Sequence, residues 1–106
     1  MSRPITIVVR LRAKPRRETA MGEALVEICR ASRFEKGCLR YELHQSTEDP
    51  ALFLLYEDWA TQSDLDAHMQ TSYVKGFLIG ARQYLLDRPE ITRWTRLEVS
   101  AERAAG

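Results

Sequence analysis

The sequence has no long apolar run and almost no net charge. It contains no stretch of about 18 apolar residues, the length that a membrane-spanning helix needs. Its formal net charge is +1, whereas proteins that bind nucleic acids usually carry a clear basic excess. The apolar run near the start, residues 5–9, is short and interrupted by arginine, which is not typical of a signal peptide. We therefore expect a cytoplasmic protein with no nucleic-acid or membrane partner.

Cysteine and histidine are also scarce. Cys29 and Cys38 form no CxxC motif, and in a reducing cytoplasm we expect them to be free thiols. His44 and His68 lie 24 residues apart with no obvious third ligand, which makes a poor metal site. The spacing of these residues therefore predicts no metal centre.

What remains is the composition of an ordinary globular domain. The chain has 106 residues, of which 44% are apolar and 29% are charged, enough for one core of moderate size. We predict a single domain over residues 1–99 and a frayed tail over residues 100–106.

The hydrophobic pattern switches between the period of a strand and that of a helix. It predicts a β-α-β-β-α-β order with the second helix in two pieces. The predicted strands are 5–14, 38–46, 52–59 and 91–99, and the predicted helices are 18–33, a short one from Thr61 to about Met69, and 72–86. This order is typical of an α+β, ferredoxin-like fold with one four-stranded antiparallel sheet and helices on one face.

A sheet covered by helices on one face needs another cover for the second face. A second copy of the chain is the simplest such cover, so we predict a homodimer that pairs through the sheet face. Within the hairpin formed by the two middle strands, the turn suggests that Gln45 lies opposite Leu52 and Tyr41 opposite Tyr56. That register places Arg40 and His44 on the same face as Glu57.

A candidate site lies where the third strand ends and the next helix begins. Glu57 and Trp59 share one face of the strand because side chains two apart point the same way. His68 lies on the inward face of the short helix, where its imidazole can bond a strand carboxylate and become more basic. Trp59 and Phe77 would wall an aromatic-sized pocket beside it.

Each of these residues also has a structural interpretation. Trp59 can be core, Glu57 can pair with Arg40 across the strands, and His68 can be satisfied by a backbone carbonyl. Arg82 can reach an anion in the pocket or extend into solvent. The pattern alone therefore indicates a pocket and no particular reaction.

The stretches "GCLRYELHQS" and "FLLYEDWATQSDLDAHMQTSYVKGF" resemble the antibiotic biosynthesis monooxygenase domain family. The resemblance covers about residues 4–97 and implies subunits whose sheets pair into a dimeric α+β barrel. It is closest to the small quinol monooxygenase-like members and is carried by Tyr56, Glu57, Trp59, Leu65 and His68. The sequence contains no asparagine, which counts against the haem-degrading branch of the family.

The resemblance implies an enzyme that oxidises a small aromatic hydroquinone or phenol with dioxygen and no cofactor, because the substrate is itself the reductant. On this hypothesis His68 is the base and Glu57 its orienting partner. The expected substrate-binding residues are Trp59, Phe77, Arg40, His44, Tyr41 and Arg82. Two alternatives stay open: a dimeric binding module without turnover, and an isomerase or lyase of a phosphorylated sugar that uses Arg40 with Arg82.

Overall fold

The computed structural model describes residues 3–99, which alternate strands and helices in the predicted order. The elements are β1 (Ile5–Arg12), α1 (Glu18–Ser32), β2 (Cys38–Gln45), β3 (Leu52–Trp59), α2 (Gln62–Met69), α3 (Ser72–Ile79), a 3-10 helix (Ala81–Gln83) and β4 (Glu90–Trp94). The second helical region is therefore divided, as predicted. The tail predicted over residues 100–106 lies outside the described residues.

The four strands form one antiparallel sheet in the order β2-β3-β1-β4, which confirms the ferredoxin-like prediction. One face, here called the helix face, carries the buried side chains of β3 and packs against α1 through Met21 and Leu25, which have no exposed surface. On the opposite face, here called the open face, none of the helices between residues 3 and 99 packs. No helix in the described part of the chain is long and apolar enough to cross a membrane.

Two elements are shorter than predicted. The helix predicted to reach residue 86 ends at Ile79, where Gly80 caps it and the chain tightens into the 3-10 turn. At the start of this helix, the Thr71 hydroxyl accepts the capping bond from the backbone amide of Val74. The last strand ends at Trp94 because its partner is Thr6, near the start of β1.

The predicted hairpin register is wrong by one residue. The Ser46 amide donates to the Leu52 carbonyl, so the turn closes one position later than expected, and Tyr41 lies opposite Glu57. Because side chains alternate between the two faces of a sheet, a shift of one residue exchanges the face on which each side chain of β2 lies relative to those of β3. Tyr41 joins Glu57 on the helix face, whereas Arg40 and His44 lie on the open face.

A close contact attaches α2 to the loop before β2. Thr61 caps α2 by accepting a bond from the Asp64 amide at 3.0 Å. The Asp64 side chain then packs onto Gly37, which has a left-handed φ of 79°. The Ala60 amide donates to the Gly37 carbonyl at 2.8 Å. The loop that contains Glu35 is thereby held beside the helix that carries His68.

Candidate active site

His68 is the centre of a buried polar cluster beneath the helices. It lies in the last turn of α2, and its residue surface is 2% exposed. Leu65, one turn earlier on the same helix, is also buried, as the predicted inward face requires. The helix therefore delivers an imidazole into the core, on the helix face of the sheet.

The two ring nitrogens of His68 have different surroundings. Nδ1 is 2.9 Å from Oε2 of Glu35, which also accepts a hydrogen bond from the Tyr73 hydroxyl. Nε2 is 3.4 Å from the Tyr41 hydroxyl and 3.9 Å from Oε1 of Glu57. The carboxylate that hydrogen-bonds the imidazole is therefore that of Glu35, and Glu57 lies beyond hydrogen-bond distance.

Glu57 is a buried carboxyl group with one close donor. Its residue surface is 3% exposed, and Oε1 accepts from Nε1 of Trp59 at 2.9 Å. Burial raises the pKa of Glu57, and the indole N–H and His68 oppose that shift. The Trp59 ring lies 4.6 Å from the His68 ring at an interplanar angle of 38°. Trp59 thus contacts both the Glu57 carboxyl group and the His68 ring from within the core.

Tyr41 contributes a hydroxyl that stays protonated. Its side chain is buried, and this burial, with the neighbouring Glu57, raises the pKa of the phenol well above its usual range. Its ring centroid lies 5.4 Å from that of His68. Tyr41 can therefore donate a hydrogen bond to Nε2 across the whole physiological pH range.

A cavity of about 90 Å³ opens beside this cluster. Its polar groups are Tyr41, Glu57 and His68, and in the part of the chain that the structure describes no lysine or arginine lines it. The other lining residues are apolar: Val9, Leu11, Leu25, Ile28, Leu55, Met69, Val74, Phe77, Leu78, Pro89 and Ile91. An apolar chamber with a few convergent polar groups is the usual form of a small-molecule site.

The structure brings together four of the eight residues expected at the site from the sequence. His68, Glu57, Tyr41 and Phe77 all line the cavity. Trp59 contacts the cluster but is fully buried behind it and does not line the cavity, so its expected stacking on the substrate is not supported.

Three expected binding residues lie elsewhere. Arg40 and His44 are on the open face, where both approach Glu42, because the register differs from the predicted one. The predicted pairing of Arg40 with Glu57 is wrong, since Arg40 lies opposite Asp58. Arg82 is exposed in the 3-10 turn, beyond the end of α3.

The sequence interpretation missed Glu35 and Tyr73. Glu35 stands in the loop after α1, just beyond the helix predicted over residues 18–33, where the sequence pattern indicates no functional residue. Tyr73 is the second residue of α3, and its side chain reaches back to the same loop. A loop residue that reaches the imidazole, and a helix residue that bonds that loop residue, leave no periodic signal in the sequence. Among residues 3–99, no group of three or more His, Cys, Asp or Glu side chains is arranged to hold a metal ion.

Fold and site together define a small α+β protein with a buried cavity next to a histidine and two carboxyl groups. A family model for antibiotic biosynthesis monooxygenases matches residues 4–78. The chain belongs to this family.

Similar proteins cover nearly the whole chain. PA3566 from Pseudomonas aeruginosa, of known crystal structure, is 33% identical, with a TM-score of 0.88 over 92% of this chain and 98% of that one. A candidate antibiotic biosynthesis monooxygenase from Nitrosomonas europaea is 24% identical, with a TM-score of 0.85 over 92% and 93%, which shows the shared fold. An uncharacterized protein from Synechocystis is 29% identical over 91 residues, 83% of this chain. The chain spans about 60% of the length of that relative.

Proposed function

We propose that this protein is a cofactor-independent monooxygenase that oxidises a small aromatic hydroquinone or phenol to a quinone with dioxygen. One observation carries the proposal: Nε2 of His68 lies at the polar end of an otherwise apolar cavity, which no cationic side chain of residues 3–99 lines. A neutral imidazole in such a place suits the removal of a phenolic proton. Membership of the antibiotic biosynthesis monooxygenase family supports the same class of reaction.

In the first step, Nε2 of His68 takes the proton of the substrate hydroxyl. The imidazolium that forms carries a positive charge in a buried place, where an uncompensated charge is costly. Glu57, 3.9 Å from Nε2, and Glu35, on the other side of the ring, offset that charge. We therefore assign His68 as the base and Glu57 as a group that stabilises its charged form.

The phenolate is then electron-rich enough to pass one electron to dioxygen. For a phenol, superoxide recombines at the ring carbon para to the oxygen, and the peroxide takes back the proton held by His68. Loss of water then leaves a carbonyl, so one atom of dioxygen enters the quinone and the other leaves as water. A hydroquinone instead loses two protons and two electrons, which reduce dioxygen to hydrogen peroxide, so no oxygen atom enters its quinone. The apolar lining of the cavity limits the access of water to the radical pair during these steps.

The size of the cavity limits the substrate. About 90 Å³ is smaller than cavities that admit benzene, at roughly 150 Å³, so an aromatic ring requires some opening. Phe77 and Ile28 line both the cavity and a surface groove of about 350 Å³ between α1 and α3, and so lie between the two spaces. We propose that the substrate enters past Phe77 and stacks on it.

The absence of a cation from the cavity lining argues against the phosphorylated sugar. Arg40 and Arg82, the only pair considered for binding a phosphate, do not line the cavity. A binding module without turnover would need the same apolar chamber but would not need a histidine among the few polar groups that line it. The geometry therefore favours the oxidation over both alternatives.

We further propose that two copies of the chain pair through their open faces. Trp94 is 58% exposed there, an unusual position for an indole in a protein that acts alone. Tyr56 lies on the same face with the Arg40 guanidinium 4.7 Å over its ring. A second copy would cover both aromatic rings at once.

Isotope labelling tests the reaction directly. Purified, metal-stripped protein would be given 1-naphthol or reduced naphthoquinone under oxygen-18 gas, and the products analysed by mass spectrometry. The proposal predicts one labelled oxygen in the quinone from 1-naphthol and none in that from the hydroquinone. Unlabelled quinone from both substrates would exclude a monooxygenase, and no product above spontaneous oxidation would leave a binding module.

A further inference from the structure

The imidazole of His68 divides the site into a cavity side and a loop side. Nε2 faces Tyr41 and Glu57, and both residues line the cavity. Nδ1 faces Glu35 and Tyr73, and neither of these lines the cavity. A substrate in the cavity therefore meets Nε2, and whatever bonds Nδ1 acts on that substrate only through the ring.

The loop side determines which nitrogen carries the proton. The Tyr73 hydroxyl donates to Oε2 of Glu35, and burial together with this bond raises the pKa of Tyr73 to about 12, so the phenol keeps its proton. A carboxylate accepts hydrogen bonds and does not donate them, so at 2.9 Å the hydrogen between the ring and Glu35 belongs to Nδ1. In the neutral ring, which is the form that can act as a base, Nε2 then carries the lone pair.

Glu57 does not reverse this assignment. A carboxylate close to Nε2 would draw the proton to that nitrogen, but Oε1 of Glu57 is 3.9 Å away and already accepts from Trp59. At 2.9 Å, the Glu35 contact is the shorter by 1.0 Å. The Tyr41 hydroxyl, a donor 3.4 Å from Nε2, also favours a bare nitrogen there.

We propose that Glu35 is the positioning residue of the base: it holds His68 in the tautomer whose free nitrogen faces the cavity, and Tyr73 holds Glu35 in place. This inference rests on the proposed function, because it assigns Glu35 a part in that reaction. Glu35 also offsets the positive charge once the ring is doubly protonated. Its side chain is 15% exposed against 3% for that of His68, so it connects the buried ring to the protein surface.

The loop that contains Glu35 is held against α2 by contacts at Gly37. Glu35 stands two residues before Gly37. The backbone of Gly37 packs against the side chain of Asp64 in α2, and its carbonyl accepts a hydrogen bond from the amide of Ala60, just before that helix. These contacts hold the loop that contains Glu35 next to the helix that carries His68, and so place the Glu35 carboxylate beside the imidazole.

The test compares Glu35→Ala, Tyr73→Phe and the control Glu48→Ala, which removes an exposed carboxylate in the β2–β3 turn. Ring nitrogen NMR shifts report the tautomer of His68 without any substrate, and the exposed His44 serves as an internal reference in the same spectrum. Oxygen uptake with reduced naphthoquinone gives kcat and KM for each variant, and thermal melts verify folding.

We expect wild-type His68 to carry its proton on Nδ1 and Glu35→Ala to shift it towards Nε2, with a loss of about tenfold in kcat and little change in KM. Tyr73→Phe should lower kcat less, and Glu48→Ala should match the wild type. An unchanged tautomer in Glu35→Ala, or an unchanged kcat with a shifted tautomer, would overturn the inference. If wild-type protein consumes no oxygen, the proposed function fails, while the tautomer still decides whether Glu35 sets the state of His68.

Discussion

The carboxylate of Asp64 packs against the backbone of Gly37, in the space where any other residue at position 37 would carry its Cβ. A Cβ built there would lie 2.6 Å from that of Asp64 and closer still to the carboxylate. Gly37 also has a φ of 79°, which is costly for residues with a side chain. Position 37 thus requires glycine for two independent reasons. The contact between Gly37 and Asp64 also holds the loop that contains Glu35 against the helix that carries His68.

Replacing Gly37 by Ala should destabilise the protein by about 3 kcal/mol or more, because strain and overlap add. The control is Gly76→Ala in α3, where a Cβ meets nothing within 4 Å. That change should be neutral or stabilising by up to about 1 kcal/mol, since Ala favours the helix. Urea unfolding of both variants measures the difference, and equal stabilities would show that the Gly37–Asp64 contact carries no constraint.

The buried carboxyl group of Glu57 should make stability depend on pH. Burial raises its pKa above the ordinary value of 4.5, so the folded chain binds this proton more tightly than the unfolded chain. The stability from that proton is fully present below pH 4.5 and is lost as the pH rises through the folded-state pKa.

Glu57→Gln removes this dependence and keeps an oxygen that can accept from Trp59. The unfolding free energy of the variant minus that of the wild type should therefore increase as the pH rises above about 4.5 and then level off. Chemical denaturation at several pH values gives the curve. If this difference in unfolding free energy stays constant or decreases as the pH rises, the pKa of Glu57 is not raised in the folded protein.

Phe77 should control which substrates enter. Phe77→Ala joins the cavity to the groove between α1 and α3, so kcat/KM for a bicyclic hydroquinone should rise severalfold relative to a monocyclic one. Leu78→Ala is the control, because Leu78 lines the cavity but not the groove. If both variants shift the ratio of kcat/KM equally, the substrate does not enter past Phe77.

The proposed dimer should depend on Trp94. Trp94→Glu places a charge on the open face at the edge strand β4 and should convert a dimer into a monomer in light scattering coupled to gel filtration. Ile79→Glu makes a comparable change at an apolar residue that is 83% exposed on the helical side, and it should leave the mass unchanged. A monomeric wild type, or a dimeric Trp94→Glu, would remove the open face as the interface.

Periodicity was enough to predict the order of elements and the inward face of α2. Strands with alternating burial and helices with apolar stripes each produce a local signal, and His68 lies on such a stripe with Leu65. The same signal identified Glu57 and Phe77 as cavity residues.

Register and loop contacts were not predictable in this way. The position at which Ser46 closes the turn onto Leu52 decides whether Tyr41 or Arg40 shares a face with Glu57, and both choices keep the strand pattern. Glu35 reaches His68 from 33 residues away in the chain. A single charged residue in a loop gives no indication of the group that it will contact.

The central claim is that His68 takes the proton of an aromatic hydroxyl so that dioxygen can oxidise the ring. The most direct measurement is oxygen uptake with reduced naphthoquinone by metal-stripped wild type, His68→Ala and His44→Ala, corrected for spontaneous oxidation. We predict uptake by the wild type and by His44→Ala, since His44 lies on the open face, and a loss of at least about tenfold in His68→Ala, or about 1.4 kcal/mol of barrier. Equal uptake by all three proteins would contradict the account, because the reaction would then proceed without the imidazole.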